Sequence, residues 1–261
     1  LSCMAQTTFA TSSMISHLLL DIEGTTCPVS FVTDILFPYA KSELTNFLER
    51  HQDNPSICQL VNDAEHEWND DKGKASISLR LALEESKQPR YLRVGAYLQL
   101  CISSDKKSTA LKDIQGKIWR AGYTTGHISS ELFEDAHENL KRWHAKGYKL
   151  AVYSSGSVEA QRLLYKYTSK GDIENLFSHW FDTHIGNKKN QKSYTTIASA
   201  MACKPRNILF VSDNREECDA AKEAGCLTLY SLREGNPQIE PGEHPVILNL
   251  ADVDQWLNPK R

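Results

Sequence analysis

Three short apolar runs, each cut off by polar residues, constrain this chain more than any other feature. Ile15-Ser16-His17-Leu18-Leu19-Leu20 runs straight into Asp21. Tyr148-Lys149-Leu150-Ala151-Val152-Tyr153 runs into Ser154-Ser155-Gly156-Ser157, and Asn207-Ile208-Leu209-Phe210-Val211 into Ser212-Asp213. Runs of this length and apolarity read as strands covered on both faces. A fourth, Leu227-Thr228-Leu229-Tyr230, follows a helical stretch at 214–224 and Gly225, a residue suited to ending a helix. Residues 157–167 place Val158, Leu163, Leu164 and Tyr167 at helical spacing. A helix over 131–145 carries Leu132, Phe133, Ala136, Leu140 and Trp143 and stops at Lys146-Gly147. Strands alternating with helices imply an α/β fold with a doubly wound parallel sheet. In such sheets ligands bind beyond the carboxyl ends of the strands. Asp21, Ser154 and Asp213 each fall at that edge, from three distant parts of the chain.

The stretch from Val32 to about Tyr123 has a different character. Leu44, Phe47 and Leu48 share one helical face, as do Leu111, Ile114 and Ile118. Residues 77–83 alternate apolar and polar, which leaves strand and helix both open there. Asp70-Asp71-Lys72-Gly73-Lys74 is the clearest loop. The block reads as an inserted helical cap at 32–124, expected to cover a core made of 14–31 and 125–250.

The composition excludes several classes. A net charge of −3 offers no basic surface for nucleic acid or anionic lipid. No apolar run approaches the roughly 20 residues that span a bilayer. Seven cysteines without a CxxC pair read as free thiols in a reducing compartment, so the cytoplasm is expected. The leading LSCMAQTTFATSSM has neither a basic cluster nor a long apolar core and is not read as a signal peptide. Nothing in the pattern demands a partner chain, so a monomer is expected.

The polar strand ends carry the chemistry. In Asp21-Ile22-Glu23-Gly24-Thr25-Thr26, a carboxylate at the strand tip can attack phosphorus and form an aspartyl-phosphate. A second acid two residues on points the same way and can move protons. Gly24 permits a tight turn. The competing reading is an ordinary strand-to-loop turn, which the hexamer alone fits as well. Ser154 and Ser155 offer hydroxyls and backbone N–H groups to an anion, or an N-cap to the next helix. Lys188 could neutralise phosphoryl charge, although a solvated surface lysine is the commoner fate, expected for Lys189 and Lys192. Asp213 suits magnesium, which favours one or two carboxylates with water and phosphate oxygens, and otherwise would cap the helix starting near Asn214.

The order Asp, Ser, Lys, Asp, each at a strand end or in the loop after it, resembles the four motifs of hydrolases of the haloacid dehalogenase (HAD) superfamily. The resemblance extends to one family. DIEGTT at 21–26, FVTDILFPYA at 31–40, STALKDIQGKIW at 108–119, YSSGSVEAQ at 153–161 and SDNREECDAA at 212–221 are similar to the enolase-phosphatases of methionine salvage. The match runs from about Leu18 to Asn236, and Glu23 stands where most HAD phosphatases have Asp. This implies enolisation of a small phosphorylated metabolite, 2,3-diketo-5-methylthiopentyl 1-phosphate, followed by its dephosphorylation to the acireductone. It implies Asp21 as nucleophile, one magnesium ion per chain held by Asp21, Glu23 (through its backbone carbonyl) and Asp213, and substrate binding by Ser154, Ser155 and Lys188. Glu23 or a cap residue is then the expected base for enolisation, and Glu216 and Glu217 would support the metal indirectly. Asn190-Gln191-Lys192 departs from the acidic or small polar stretch expected after the lysine pair, which puts the choice of Lys188 over Lys189 to the structure. The alternatives are another HAD-type metabolite phosphatase, a haloacid dehalogenase, or a non-catalytic protein that keeps the fold. Cys27, beside the first motif, reads as a small packing residue.

Overall fold

Four leucine- and valine-rich runs too short for helices can bury both faces only inside a sheet, and they do so. The structure, a computed structural model, describes residues 15–237 and 239–257. The leading segment read as lacking a signal lies outside the described residues. In chain order, strand β1 (His17–Leu20) is followed by a π-helical turn at Phe31–Leu36 and five helices. These are α1 (Phe37–Arg50), α2 (Pro55–Asp70), α3 (Lys74–Glu84), α4 (Arg90–Ser103) and α5 (Thr109–Thr124). Then come α6 (Glu134–Ala145), β2 (Lys149–Tyr153), α7 (Val158–Lys166), β3 (Phe177–Phe181) and α8 (Gln191–Ala200). The chain continues through β4 (Ile208–Ser212), α9 (Arg215–Glu223), β5 (Leu227–Ser231), β6 (Val246–Ile247) and α10 (Asp254–Leu257). No helix among the described residues is long and apolar enough to cross a membrane.

The chain divides into two compact units. Among the described residues, one comprises 15–28, 132–158 and 173–257; the other comprises 29–131 and 159–172. The first contains a six-stranded sheet in the order β3-β2-β1-β4-β5-β6, with every neighbouring pair parallel. The runs expected as strands are β1, β2, β4 and β5. β3, with its mixed sequence FSHWF, and the two-residue β6 extend the sheet at its edges. β1 is central, with Leu20 level with Val152 of β2 on one side and Val211 of β4 on the other. Side chains alternate between faces. Leu19, Ala151 and Phe210 join Tyr194 and Ile197 of α8 and Cys218 and Ala221 of α9 in one buried cluster. α6 packs against β2. Its buried Trp143 donates from Nε1 to Asp254 Oδ1 of α10 (2.8 Å).

The second unit is helical. Leu44 and Leu48 of α1, Val61 and Trp68 of α2, Tyr97 and Leu98 of α4, and Ile114 and Ile118 of α5 form its core. The segment left open at 77–83 is helical, within α3, with Leu79 and Leu83 packed on that core. α2 starts at Asn54, whose side chain accepts from the Ser56 and Ile57 N–H groups. Residues 159–172 join this unit through local pairing. Ser130 N donates to Tyr167 O (2.8 Å), Ser169 N donates to Ser130 O (3.0 Å), and Tyr123 stacks on Tyr167 at 5.5 Å.

Candidate active site

The site grows from the tip of the central strand. Asp21 prolongs the ladder by one rung, donating its N–H to Val211 O (3.0 Å), and then the chain turns. The turn is held by one carbonyl: Ile22 O accepts from the N–H groups of Thr25 (3.1 Å), Thr26 (2.9 Å) and Cys27 (3.0 Å). Gly24 sits at φ +69°, a conformation that side-chain-bearing residues rarely adopt, and its N–H donates to Cys27 O (2.8 Å). Ser154 follows the neighbouring strand β2 and is anchored through its backbone N–H, which donates to Phe181 O of β3 (3.1 Å). Asp213 follows β4 on the other side. Adjacent strands lie about 4.8 Å apart, so three polar groups from distant sequence share one sheet edge.

Donors converge on Asp21. Its Oδ1 accepts from Ile22 N (2.8 Å) and from Lys188 Nζ (2.8 Å), and its Oδ2 from Ser212 Oγ (3.0 Å). Lys188 Nζ also meets Glu217 Oε2 (2.8 Å). Burial alone would depress the Lys188 ammonium, but Asp21 and Glu217 beside it hold its pKa above the usual lysine range. Ser212 Oγ also touches Glu217 Oε2 (2.9 Å) and accepts from Asn214 N (3.1 Å). The lysine loop is fastened from behind. Tyr194 donates from its hydroxyl to Lys188 O (2.6 Å), Tyr153 donates to Gly186 O (2.9 Å), and Ser193 donates to Asn187 O (2.7 Å).

The two lysines lie in different surroundings. Lys188 is 8% exposed and contacts Asp21, whereas the half-exposed Lys189 pairs with the exposed Glu216. Glu216 and Glu217, expected together as metal supports, therefore part company: Glu217 points inward to Lys188 and Ser212, and Glu216 points outward. The helix-capping role open to Asp213 falls to Asn214, whose side chain accepts from Glu217 N (3.3 Å). The N–H of Val158 at the start of α7 donates to Asp182 Oδ2 (3.4 Å), while Ser154 Oγ accepts from Gly156 N (3.4 Å). Ser154 is buried and Ser155 exposed beside it.

The electrostatics show an excess of acid. Asp213 is pushed up to about 7 by burial, then by Asp21 and Glu217, with Lys188 opposing. Glu217 is pushed up to about 7 by burial and Asp21, against the pull of Lys188. Glu23 is raised by burial and by Asp21. Four carboxyl groups thus share the field of one buried ammonium. The Asp213 carboxylate accepts no hydrogen bond from any described residue. An unsatisfied, half-buried carboxylate next to further acids is what a hard divalent cation relieves. Among the described residues no three His, Cys, Asp or Glu side chains form a ready-made cage. Magnesium needs none, since one or two carboxylates with carbonyl, water and phosphate oxygens suffice. Asp21, Asp213 and the backbone carbonyl of Glu23 fit such a set.

Sequence reasoning missed Ser212, which bridges two of the acids, and Tyr194, which sets the lysine carbonyl. Ser212 is visible in sequence only as the last residue of a strand, and Tyr194 only as an aromatic at helical spacing.

Comparison with known proteins agrees with this geometry. Residues 15–225 match the haloacid dehalogenase-like hydrolase family. The Enolase-phosphatase E1 of Synechococcus sp. (strain CC9902) is 73% identical over 244 residues, covering 94% of this chain and all of that protein. That of Aquifex aeolicus is 43% identical, covering 92% of this chain and all of its own length. Among solved structures, the UTR4 protein of Saccharomyces cerevisiae superposes with a TM-score of 0.67 at 31% identity, covering 90% of this chain and 98% of its own. CbbY from Rhodobacter sphaeroides, in complex with phosphate, superposes at 0.55 and 16% identity over 92% of this chain and 96% of its own, a likeness of fold alone. Sequence match, sheet order and the acid-rich strand tips agree, and the chain belongs to the Enolase-phosphatase E1 family of the haloacid dehalogenase-like hydrolases.

Proposed function

We propose that the chain enolises 2,3-diketo-5-methylthiopentyl 1-phosphate and then hydrolyses its phosphate to release the acireductone, by way of an aspartyl-phosphate on Asp21. The observation that carries this reading is the buried contact between Lys188 Nζ and Asp21 Oδ1, 2.8 Å, at the tip of the central strand. That contact supports the pairing of a nucleophilic carboxylate with a cation suited to take the phosphoryl charge.

Asp21 attacks phosphorus in this mechanism, with Ile22 N and Ser212 Oγ fixing the plane of its carboxylate. Lys188 holds the phosphoryl oxygens, and Ser154 and Ser155 offer hydroxyl and N–H donors from the neighbouring strand end. Glu23, its pKa raised by burial and by Asp21, can take a proton, deliver one to the leaving oxygen and then activate the water that cleaves the acyl-phosphate. For enolisation, Glu23 is the base we favour, removing a proton from the carbon that bears the phosphate. One magnesium ion per chain, held by Asp21, Asp213 and the Glu23 carbonyl, would supply charge neutralisation at the phosphoryl oxygens and the developing enediolate. The free cysteines among the described residues suit a reducing compartment, so we place the activity in the cytoplasm, with the monomer as working unit.

The test is magnesium-dependent phosphate release from the diketo phosphate, beside a simple aryl phosphate. Wild type should release phosphate from the diketo substrate with an enol absorbance preceding it, and Asp21→Asn should release none. Wild-type rates in Asp21→Asn, or a preference for the aryl phosphate, would overturn the reading. Glu23→Asp separates the two steps: unimpaired enolisation removes Glu23 from the role of base.

A further inference from the structure

One buried acceptor near Gly24 lies outside all four motifs and has no donor. Asn236 Nδ2 donates to Gly24 O (2.9 Å) and to Ser231 O (3.1 Å), which uses both of its N–H groups. Turning the amide over would set an oxygen against two carbonyl oxygens, so the network fixes its orientation. Oδ1 therefore points away from both carbonyls, and it is buried with no hydrogen-bond partner. It does not point into apolar packing. A Cβ on Gly24 would stand 2.3 Å from Asp213 Oδ2 and 2.8 Å from Asn236 Oδ1, so both oxygens crowd the same point. The Cα–H of Gly24, a weak donor, faces them there. Native structures seldom leave a buried acceptor empty without a reason.

We infer that Asn236 is a positioning residue of the cation site: its amide nitrogen fixes the Gly24 carbonyl, and its Oδ1 accepts from a water in the hydration shell of the ion held by Asp213. The first half sets the turn that carries Glu23 and its backbone carbonyl. The second half gives the orphaned oxygen its donor and orients the ion's water. Groups of this kind, one step removed from the ligands, tune metal affinity by about 10–100-fold. The inference rests on the proposal that Asp213 binds magnesium. Ser231 supplies an internal control. Its Oγ also donates to Gly24 O (2.9 Å), so Ser231→Ala loosens the same carbonyl without touching Oδ1.

The experiment compares the full-length wild type, Asn236→Ala, Asn236→Asp and Ser231→Ala. The Mg²⁺ dissociation constant is read by titration calorimetry on the metal-free proteins, and Tm is read with and without the ion. Asn236→Ala should bind Mg²⁺ about 10–100-fold more weakly. Ser231→Ala should bind within about threefold of wild type, although both variants lower the metal-free Tm. Asn236→Asp keeps Oδ1 but sets its second oxygen against the Gly24 and Ser231 carbonyls, so its metal-free Tm should fall. The added charge beside the ion should keep Mg²⁺ binding at least as tight as in wild type; this variant decides the matter if Asn236→Ala does not fold. Mg²⁺ affinity in Asn236→Ala within about twofold of wild type would overturn the inference whatever the Tm does. So would an equal loss in Ser231→Ala, which would assign the effect to the turn alone, or weakened binding by Asn236→Asp. A wild type that binds no Mg²⁺ would instead overturn the functional reading, and this inference with it.

Discussion

Replacing Lys188 by methionine keeps an unbranched apolar stem and deletes the ammonium, which lies 5.7 Å from the Tyr153 ring centroid. In the wild type that ammonium lies 2.8 Å from Asp21 Oδ1 and 2.8 Å from Glu217 Oε2. At an effective dielectric constant near 20, each contact is worth about 6 kcal/mol of gross attraction. Desolvating three buried groups cancels most of it, and breaking a buried ion pair from one side typically costs a net 3–5 kcal/mol. The sign of the pH dependence follows from the acids left behind. Glu217 and Asp213 already titrate near 7 in the folded protein, above their unfolded values, and Lys188 is the group that pulls them down. Without it the folded state binds more protons than the unfolded chain between about pH 4 and 7, so stability falls as pH rises through that window. Lys188→Met should therefore be about 3–5 kcal/mol less stable than wild type near pH 8, with a smaller deficit near pH 5. Urea denaturation at both pH values measures this. Phosphate release, assayed on folded protein, should drop by about 10²–10³-fold. A deficit independent of pH, or turnover within about threefold of wild type, would refute the reasoning.

Gly24→Ala forces a side chain into a left-handed conformation and against Asp213 Oδ2 and Asn236 Oδ1. It should cost about 1–3 kcal/mol in urea unfolding and cut turnover at least tenfold, because the carboxylate opposite must move. Tyr194→Phe removes the donor on Lys188 O and should destabilise the protein by about 1–3 kcal/mol, raising KM more than it lowers kcat. In the helical unit, the hydrogen bond from Lys106, helped by the Gly73 N–H, holds Asp71 down at about 2 despite burial. That contribution, about 1–2 kcal/mol at neutral pH after solvent screening, should vanish as pH falls from about 4 towards 2. Asp71→Asn should lose both the stability and the acid dependence, as followed by circular dichroism during denaturation.

Most of the sheet was legible because its central strands are buried on both faces and so cannot carry polar residues until they end. The same logic brought the candidate residues together, since the first polar residue after β1, β2 or β4 falls at one edge by construction. β3 escaped notice because an edge strand answers to only one partner and tolerates the mixed sequence FSHWF. The alternation at 77–83 left strand and helix both open, but Leu79 and Leu83 are also four apart, and the helical core selected that period. Lys188 could be named from its loop, but its preference over Lys189 depends on which carbonyls Tyr194 and Tyr153 hold, contacts that no spacing reveals. Glu217 reads as one of two adjacent acids, and only the first-turn geometry of α9 sends it inward while Glu216 faces out. Asn236 gave no signal at all, because its partner Gly24 lies 212 positions earlier.

The placement of β1 at the middle of the sheet also governs how the chain must be born. The segment that leads into Asp21 is translated well ahead of its two neighbours in the sheet, which begin at Lys149 and Ile208. While more than a hundred residues are translated, the ribbon His17–Leu20 has nothing to pair with, and its bare N–H and C=O groups are open to any stray strand. The pairing on both sides of β1 is therefore completed only after synthesis has passed β4. Pairing between such distant parts of the chain is the kind that slows folding, and the same topology walls in the centre of the sheet.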